Sequence, residues 1–227
     1  MMVLLMKYTV NGLNNNNKYY KGEKMIKGLG IVISIFIITL LASIPLGLII
    51  ALLRRSKYKL IELIARLYIL VMRGTPLLLQ LIVIFYGLPL LGVTFDRFTS
   101  GIIAFLLNYA AYFAEIFRGG IESIDKGQRE AAAVLGFDKI TMFKRIILPQ
   151  VIKIILAPIS NEVITLIKDT SLVYILGLND ILRLAQIQSI REVSLLPLLE
   201  VGFIYLALVA VITQGFKLLE KKYSYYR

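Results

Sequence analysis

The residues with the clearest capacity for chemistry lie inside a strongly apolar segment that begins at Pro149. The spacing i, i+4, i+7 and i+8 predicts one polar stripe along a helix, formed by Asn161, Thr165, Lys168 and Asp169. Glu162 lies beside this stripe and could turn toward an ammonium or guanidinium group. Lipid cannot face such residues, so we expect the stripe either to line a water-filled path or to join two subunits through hydrogen bonds.

The depth of the stripe favours a path. With a rise of about 1.5 Å per residue, Asn161 and Glu162 lie about 17–20 Å from the start of the segment, near the middle of a bilayer. We therefore favour pathway lining over subunit contact.

A second charged position interrupts the apolar region 60–91 at Arg73-Gly74-Thr75-Pro76. The part before Arg73 is too short to cross about 30 Å of hydrocarbon, so we predict one broken or tilted helix. Arg73 then lies inside the membrane, where a charge costs at least about 2.5–3.5 kcal/mol. We favour a structural or gating role for these four residues, with Arg73 snorkelling or holding carbonyls freed by the break, over contact with a solute.

The composition predicts an all-α membrane protein with about five transmembrane helices. The chain is 58% hydrophobic with a mean hydropathy of +0.78, so lipid must cover much of its surface. A polar tail (1–27) precedes a membrane domain (28–222), and residues 223–227 form a short tail. Pro45 and Gly47 are the expected kinks of the first span. The remaining predicted segments are spans at 28–53, 60–91, 99–117, from 149 onward and at 195–216, and an outer gate or short helix at 171–192.

Several function classes are excluded by what the sequence lacks. It contains no cysteine and no histidine, which argues against zinc, haem and Cys–His catalysis, and we expect no cofactor. It has no GxxxxGK[ST] motif, so it is not a P-loop ATPase. The net charge of +12 does not indicate nucleic acid, because the basic residues cluster at the ends of apolar runs. This clustering predicts that 54–59, 118–145 and the C-terminus are cytoplasmic, although the lysines of the N-terminal tail depart from the pattern.

The largest predicted cytoplasmic loop contains an amphipathic pair of short helices, at residues 130–149. Three alanines after Glu130 leave one slim side for close contact with another protein. Gly136 fits a helix stop, and Asp138 fits the cap of a second helix that Pro149 ends. That helix presents the apolar residues Ile140, Phe143 and Ile147 on one side, and the basic residues Lys139, Lys144 and Arg145 on another.

These motifs resemble the permease subunits of ATP-binding cassette importers, in their polar amino acid branch. The resemblance rests on the Glu-Ala-Ala…Gly…Ile-x-Leu-Pro pattern at 130–149 and, in the expected order, on the motifs at 73–80, 114–120, 126–128 and 161–172. It implies a type I importer bundle in a bacterial cell membrane, with a coupling helix in the loop 118–148. The implied partners are ATPase subunits, an extracytoplasmic amino acid-binding protein and a second permease, identical or related. The residues implied to contact the ATPase are Glu130, Ala131, Ala132, Gly136, Phe137, Lys139 and Phe143.

Two other classes of function compete with this interpretation. A secondary transporter or channel driven by an ion gradient would show inverted repeats or paired broken helices, and we find one broken segment and no convincing repeat. A membrane scaffold would use the polar stripe only to join subunits. Co-purification with an ATPase separates the importer from both alternatives.

Overall fold

The molecule is a bundle of membrane-length helices. The computed structural model describes the backbone of residues 2–223 and the side chains of residues 22–223, and no strand occurs within 2–223. The helices are α1 (Met2–Arg54), α2 (Lys59–Gly74), α3 (Leu77–Ile82), α4 (Arg97–Glu122), α5 (Lys126–Val134), α6 (Lys139–Met142), α7 (Leu148–Asp169), α8 (Ile181–Glu192) and α9 (Leu196–Lys222). Four of the described helical runs are long and apolar enough to cross a membrane, and a bent pair raises the number to five. The prediction of about five spans is confirmed.

The centre of the bundle is α4, which packs along α1. Its aromatic residues Phe105, Tyr109 and Phe113 are almost fully buried, whereas α9 leaves much of its apolar surface exposed. Gly47 of α1 lies so close to α4 that an added Cβ would stand 2.7 Å from Cβ of Phe113 and 2.9 Å from the Ala110 carbonyl oxygen. Small residues allow this approach between membrane helices. The helix α1 continues through Pro45 and Gly47 without a break, so Gly47 serves close packing.

The second span is broken, as the sequence predicts. The run Lys59–Gly74 and the run Leu77–Leu91 meet at an angle of 104°. The second run starts as α3 and continues through a π-helical turn (Val83–Gly87) and a 3-10 turn (Leu88–Leu91). Pro76 is extended at the start of α3, where a proline needs no N–H partner.

The loop after α4 contains the expected pair of short helices. α5 ends in a Schellman motif, because Gly136 N–H donates to the Ala133 carbonyl and Phe137 N–H donates to the Ala132 carbonyl, both at 3.0 Å. Gly136 has φ +79°, which confirms it as the helix stop. Asp138 caps α6 by accepting from the N–H groups of Ile140 and Thr141, as predicted.

Two boundaries in this region differ from the prediction. Pro149 does not end the second short helix, because α6 passes through a π-helical turn (Phe143–Ile147) into α7 as one helical run. In that turn Leu148 N–H donates to the Phe143 carbonyl. The wider π spacing just before Pro149 relieves the clash that a proline makes with an α-helical turn. The helix α4 also extends beyond the predicted span 99–117 to Glu122, so the first residues of the predicted loop are helical.

The remaining boundaries follow the sequence closely. The region 171–192 contains a 3-10 helix (Thr170–Leu176) and the short α8 rather than a span, as expected. The last span starts at Leu196, against the predicted 195. The helix α1 includes residues 22–27, so the predicted first span belongs to a longer helix that begins before residue 28. The side chains of residues 1–21 and the tail 224–227 lie outside the described residues, so the two predicted tails stay predictions.

Candidate functional site

A polar cavity of about 460 Å³ lies where the broken span meets α4 and α7. Its lining combines a guanidinium group, two carboxylates, hydroxyl groups and an amide, between helices that are otherwise mostly apolar. Its lining residues are Arg73, Gly74, Thr75, Pro76, Leu77, Asn108, Tyr109, Tyr112, Glu162, Thr165 and Asp169. All four residues of the predicted interruption, 73–76, therefore line the cavity.

Two buried amides hold the break in shape. Asn108 donates to the Met72 carbonyl at 2.9 Å and to Oε1 of Gln80 at 3.0 Å. Gln80 donates to the Met72 carbonyl at 2.9 Å and to Oγ1 of Thr75 at 2.8 Å. These bonds satisfy groups that the helix ladder leaves free at the break. The tethering of freed carbonyls, which the sequence suggested for Arg73, is therefore performed by Gln80 and Asn108.

Arg73 is held loosely at the wall of the cavity. Its Nη1 lies 3.7 Å from Oε2 of Glu115, and its Cζ lies 5.2 Å from the ring centroid of Tyr112. The side chain remains 42% exposed. Glu115 is bound more tightly by Arg118, whose Nη2 and Nε donate to its two oxygens at 2.6 and 3.0 Å. The guanidinium of Arg73 is thus oriented by an aromatic face and a distant carboxylate, with donors to spare.

On the opposite wall, α7 presents Glu162, Thr165 and Asp169 to the cavity. Their spacing i, i+3 and i+7 places them on one face of the helix. The hydroxyl group of Tyr109 donates to Oδ2 of Asp169 at 2.8 Å, which ties α4 to α7 at the cavity. The formal charge of the lining is one cation against two carboxylates, which is net negative.

The predicted stripe is therefore only partly the face that reaches the cavity. Thr165 and Asp169 line it together with Glu162, but Asn161 and Lys168 are exposed and do not. Val163, Leu166 and Ile167 are buried against the rest of the chain, and this packing sets the rotation of α7. A pathway role for Asn161 and Lys168 stays a prediction.

Two smaller cavities adjoin the first and share Arg73 with it. One, of about 380 Å³, is lined by Arg73, Tyr112, Glu115 and Glu162 among others. The other, of about 370 Å³, includes Arg54, Arg73 and Glu115. Arg73 lines all three, so it lies at their junction. Glu115 lines only the smaller two.

The polar residues of α4 were not predicted to be part of the site. The predictions assign no role to Asn108, Tyr109, Tyr112 or Glu115. Asn108, Tyr112 and Glu115 are spaced i, i+4 and i+7, the same signal that identified the stripe on α7. The same spacing on α4 therefore identifies Asn108 and Tyr112, which line the 460 Å³ cavity, and Glu115, which lines the two smaller ones.

The paired helices α5 and α6 form an exposed surface, which we call the handle (residues 126–147). Its exposed apolar residues are Val134, Leu135, Phe137, Ile140 and Phe143. Glu130, Ala131, Gly136 and Lys139 are also exposed. Ala132 is 1% exposed, so the slim alanine side packs partly against the chain itself. The hydroxyl of Thr141 and the N–H groups of Thr141 and Ile140 hold the pKa of the capping Asp138 below its ordinary value.

A broken span around a polar cavity, joined to an exposed handle, defines a membrane transport component. Residues 43–225 match the family described as "Binding-protein-dependent transport system inner membrane component". The chain belongs to this family.

Its relatives are permeases. The chain is 40% identical over 200 residues to the arginine transport system permease protein ArtQ of Bacillus subtilis, covering 87% of this chain and 91% of ArtQ. It is 40% identical over 180 residues to the L-cystine transport system permease protein TcyB of the same organism, covering 78% and 77%.

Solved structures share the fold. The structure described as an amino acid ABC transporter with histidines matches with a TM-score of 0.83 and 35% identity, over 91% of this chain and 97% of that one. The MetNI methionine ABC transporter matches with a TM-score of 0.66 at 13% identity, over 92% and 98%, which shows the fold alone. The predicted all-α bundle and the resemblance to importer permeases are confirmed.

Proposed function

We propose that this chain is the transmembrane permease subunit of an ATP-driven importer for polar amino acids, and that the cavity at the broken span is its substrate site. The observation that carries the proposal is that Arg73, Glu162 and Asp169 line one cavity together. An amino acid carries a carboxylate and an ammonium group, and both must find partners when water is lost. Uptake of a labelled amino acid panel by the assembled transporter tests the proposal.

The charge balance of the site favours a cationic substrate. The carboxylate of the substrate binds Arg73, since guanidinium–carboxylate pairs form strong charge-assisted hydrogen bonds. Glu162 and Asp169 remain for two positive groups, namely the α-ammonium and a cationic side chain. A neutral amino acid supplies only one of these. The name of ArtQ as an arginine permease agrees with this preference, whereas TcyB is named for cystine, which carries no net positive charge.

Substitution of Glu162 by glutamine is expected to change selectivity more than expression. Loss of one carboxylate removes about 1–2 kcal/mol of attraction for a cationic side chain, which lowers the kcat/KM ratio of arginine to glutamine by about tenfold. Competition uptake in proteoliposomes measures this ratio. Glu220→Gln is the control, because it removes an exposed carboxylate at the end of α9. Equal selectivity in Glu162→Gln and wild type would show that Glu162 is not a ligand.

The energy for transport comes from ATP hydrolysis by separate ATPase subunits and not from this chain. Two ATPase subunits bind the handles of two permeases, identical or related, and a binding protein delivers the substrate from outside. The exposed apolar residues of the handle and its basic neighbours Lys139, Lys144 and Arg145 supply the docking surface. Exposed apolar patches of this kind mark protein interfaces. The C-terminus and the handle face the cytoplasm of a bacterial cell, because lysine and arginine are enriched in cytoplasmic segments and cluster in these two regions.

The continuous helix from α6 to α7 supports direct coupling between handle and site. Lys139 and Glu162 belong to one helical run and lie about 35 Å apart along it. A shift of the handle is therefore transmitted to Glu162 and Asp169 through a single element. Closure of the ATP-loaded ATPases biases the permease between its two states by binding one of them more tightly.

Substitution of Gly136 by proline is expected to reduce co-purification with the ATPase at least tenfold without loss of the membrane bundle. Proline requires φ near −65°, whereas Gly136 has φ +79°, and it also removes the N–H that bonds the Ala133 carbonyl. The two handle helices then lose their mutual angle. Gly136→Asn is the matched control, because asparagine tolerates the left-handed region.

Charge reversal at the exposed Glu130 tests the same surface without altering its backbone. Pull-down of the ATPase by Gly136→Pro and by Glu130→Lys, compared with elution volume in detergent, separates docking from folding. Normal ATPase yield with both variants would contradict the assignment of the handle.

A further inference from the structure

Glu115 stands between two arginines that hold it unequally. Arg118 donates to both of its oxygens at 2.6 and 3.0 Å, while Arg73 approaches one of them only to 3.7 Å. Arg118 also pairs with Glu122 one turn further along α4. The result is a row of alternating charges that ends at Arg73, beside the substrate cavity.

We propose that Glu115 is a displaceable counter-ion of Arg73, and that the substrate carboxylate takes its place when the cavity is occupied. This inference rests on the proposed function, because it requires a substrate with a carboxylate. Glu115 is a positioning residue, since it acts on the substrate through Arg73. As the substrate leaves, Glu115 returns to Arg73 and lowers the affinity of the site.

The exchange leaves neither Arg73 nor Glu115 without a partner. Removal of one member of a buried ion pair is costly because the other charge stays uncompensated. Here Glu115 keeps both hydrogen bonds from Arg118 when Arg73 turns away. Arg73 in turn keeps the face of Tyr112 and gains the carboxylate of the substrate. Both states are therefore electrostatically satisfied, as a switch requires.

The position of Glu115 gives the exchange a direction. Glu115 is absent from the lining of the 460 Å³ cavity but lines both smaller cavities, which adjoin it on the side of α4 that leads to the handle. The substrate and Glu115 thus approach Arg73 from different cavities. Competition for one guanidinium weakens binding on the side from which the substrate must be released.

Direct binding measurements on the purified permease–ATPase complex test this, because they avoid the affinity of the binding protein. For Glu115→Gln we expect the Kd of labelled arginine to fall about threefold to tenfold, and the turnover of uptake to fall by a similar factor. Agmatine, which is arginine without its carboxylate, should bind no more tightly than to wild type. Glu122→Gln is the matched control, since Glu122 shares Arg118 but does not contact Arg73, and its arginine Kd should be unchanged.

The opposite results overturn the inference. An arginine Kd that is unchanged or raised in Glu115→Gln shows a merely structural role, and equal tightening of agmatine shows a general charge effect. If Glu115→Gln does not assemble, Glu115→Asp decides by the same criteria, with a smaller expected shift. These outcomes are distinct from failure of the proposed function, in which wild type itself neither binds nor transports amino acids.

Discussion

Replacement of Arg73 by alanine is expected to reduce ATP-dependent amino acid uptake at least about 100-fold, while the chain still assembles with its ATPase. Arg73 is the one cation among the described residues that line the 460 Å³ cavity. Its loss leaves the substrate carboxylate without a partner, and an unpaired buried charge costs about 3–5 kcal/mol. Uptake in proteoliposomes and pull-down of the ATPase measure the two halves of the prediction.

The bundle should survive this change because Arg73 does not hold the break. Gln80 and Asn108 bind the Met72 carbonyl, so the angle between α2 and α3 is kept in Arg73→Ala. Arg73→Lys keeps the charge but loses the planar pair of donors, and we expect an intermediate loss of about tenfold. Arg55→Ala, at an exposed position outside the cavities, is the control. Normal uptake by Arg73→Ala would remove Arg73 from the substrate site.

Replacement of Gly47 by leucine is expected to prevent formation of the folded bundle. A Cβ at this position meets Cβ of Phe113 at 2.7 Å, the Ala110 carbonyl oxygen at 2.9 Å and the Ala114 nitrogen at 3.1 Å. Two of these are backbone atoms of α4, which cannot yield unless the whole helix moves. Overpacking in a tight core costs about 1–3 kcal/mol for small additions, and a leucine adds three further carbons to the clash.

Monodisperse yield in detergent and the melting temperature measure this effect. We expect the yield of Gly47→Leu to fall more than about tenfold and the Tm of Gly47→Ala to fall by several degrees. Gly30→Leu is the matched control, because Gly30 lies on the same helix and a Cβ there meets nothing within 4 Å. Wild-type yield and Tm for Gly47→Leu would show that α1 and α4 are not packed as described.

Local signals in the sequence were sufficient to predict most of the helices and the turns between them. Apolar run lengths predict the spans, the Gly-Thr-Pro interruption predicts the break, and Gly136 with Asp138 predicts the turn between α5 and α6. Each of these depends on the conformational preference of a few adjacent residues. Pro149 was one exception, since a π-helical turn removed the conflict that a proline normally creates.

Features that depend on packing between helices were not predictable in the same way. The face of α7 that reaches the cavity depends on how Val163 and Leu166 pack against other helices. The spacing within α7 alone therefore grouped Asn161 and Lys168 into the polar stripe and placed Glu162 beside it. The pairing of Gln80 with Asn108 joins residues 28 positions apart. No periodicity within one helix encodes such a contact.

The measurement that tests the account most directly is uptake of labelled arginine by proteoliposomes containing this permease, its ATPase and its binding protein. We predict uptake that requires enclosed ATP and continues when ionophores collapse all ion gradients. It should stop when the ATPase is omitted or when the handle carries Gly136→Pro. Uptake that proceeds without the ATPase and follows an imposed ion gradient would contradict the account.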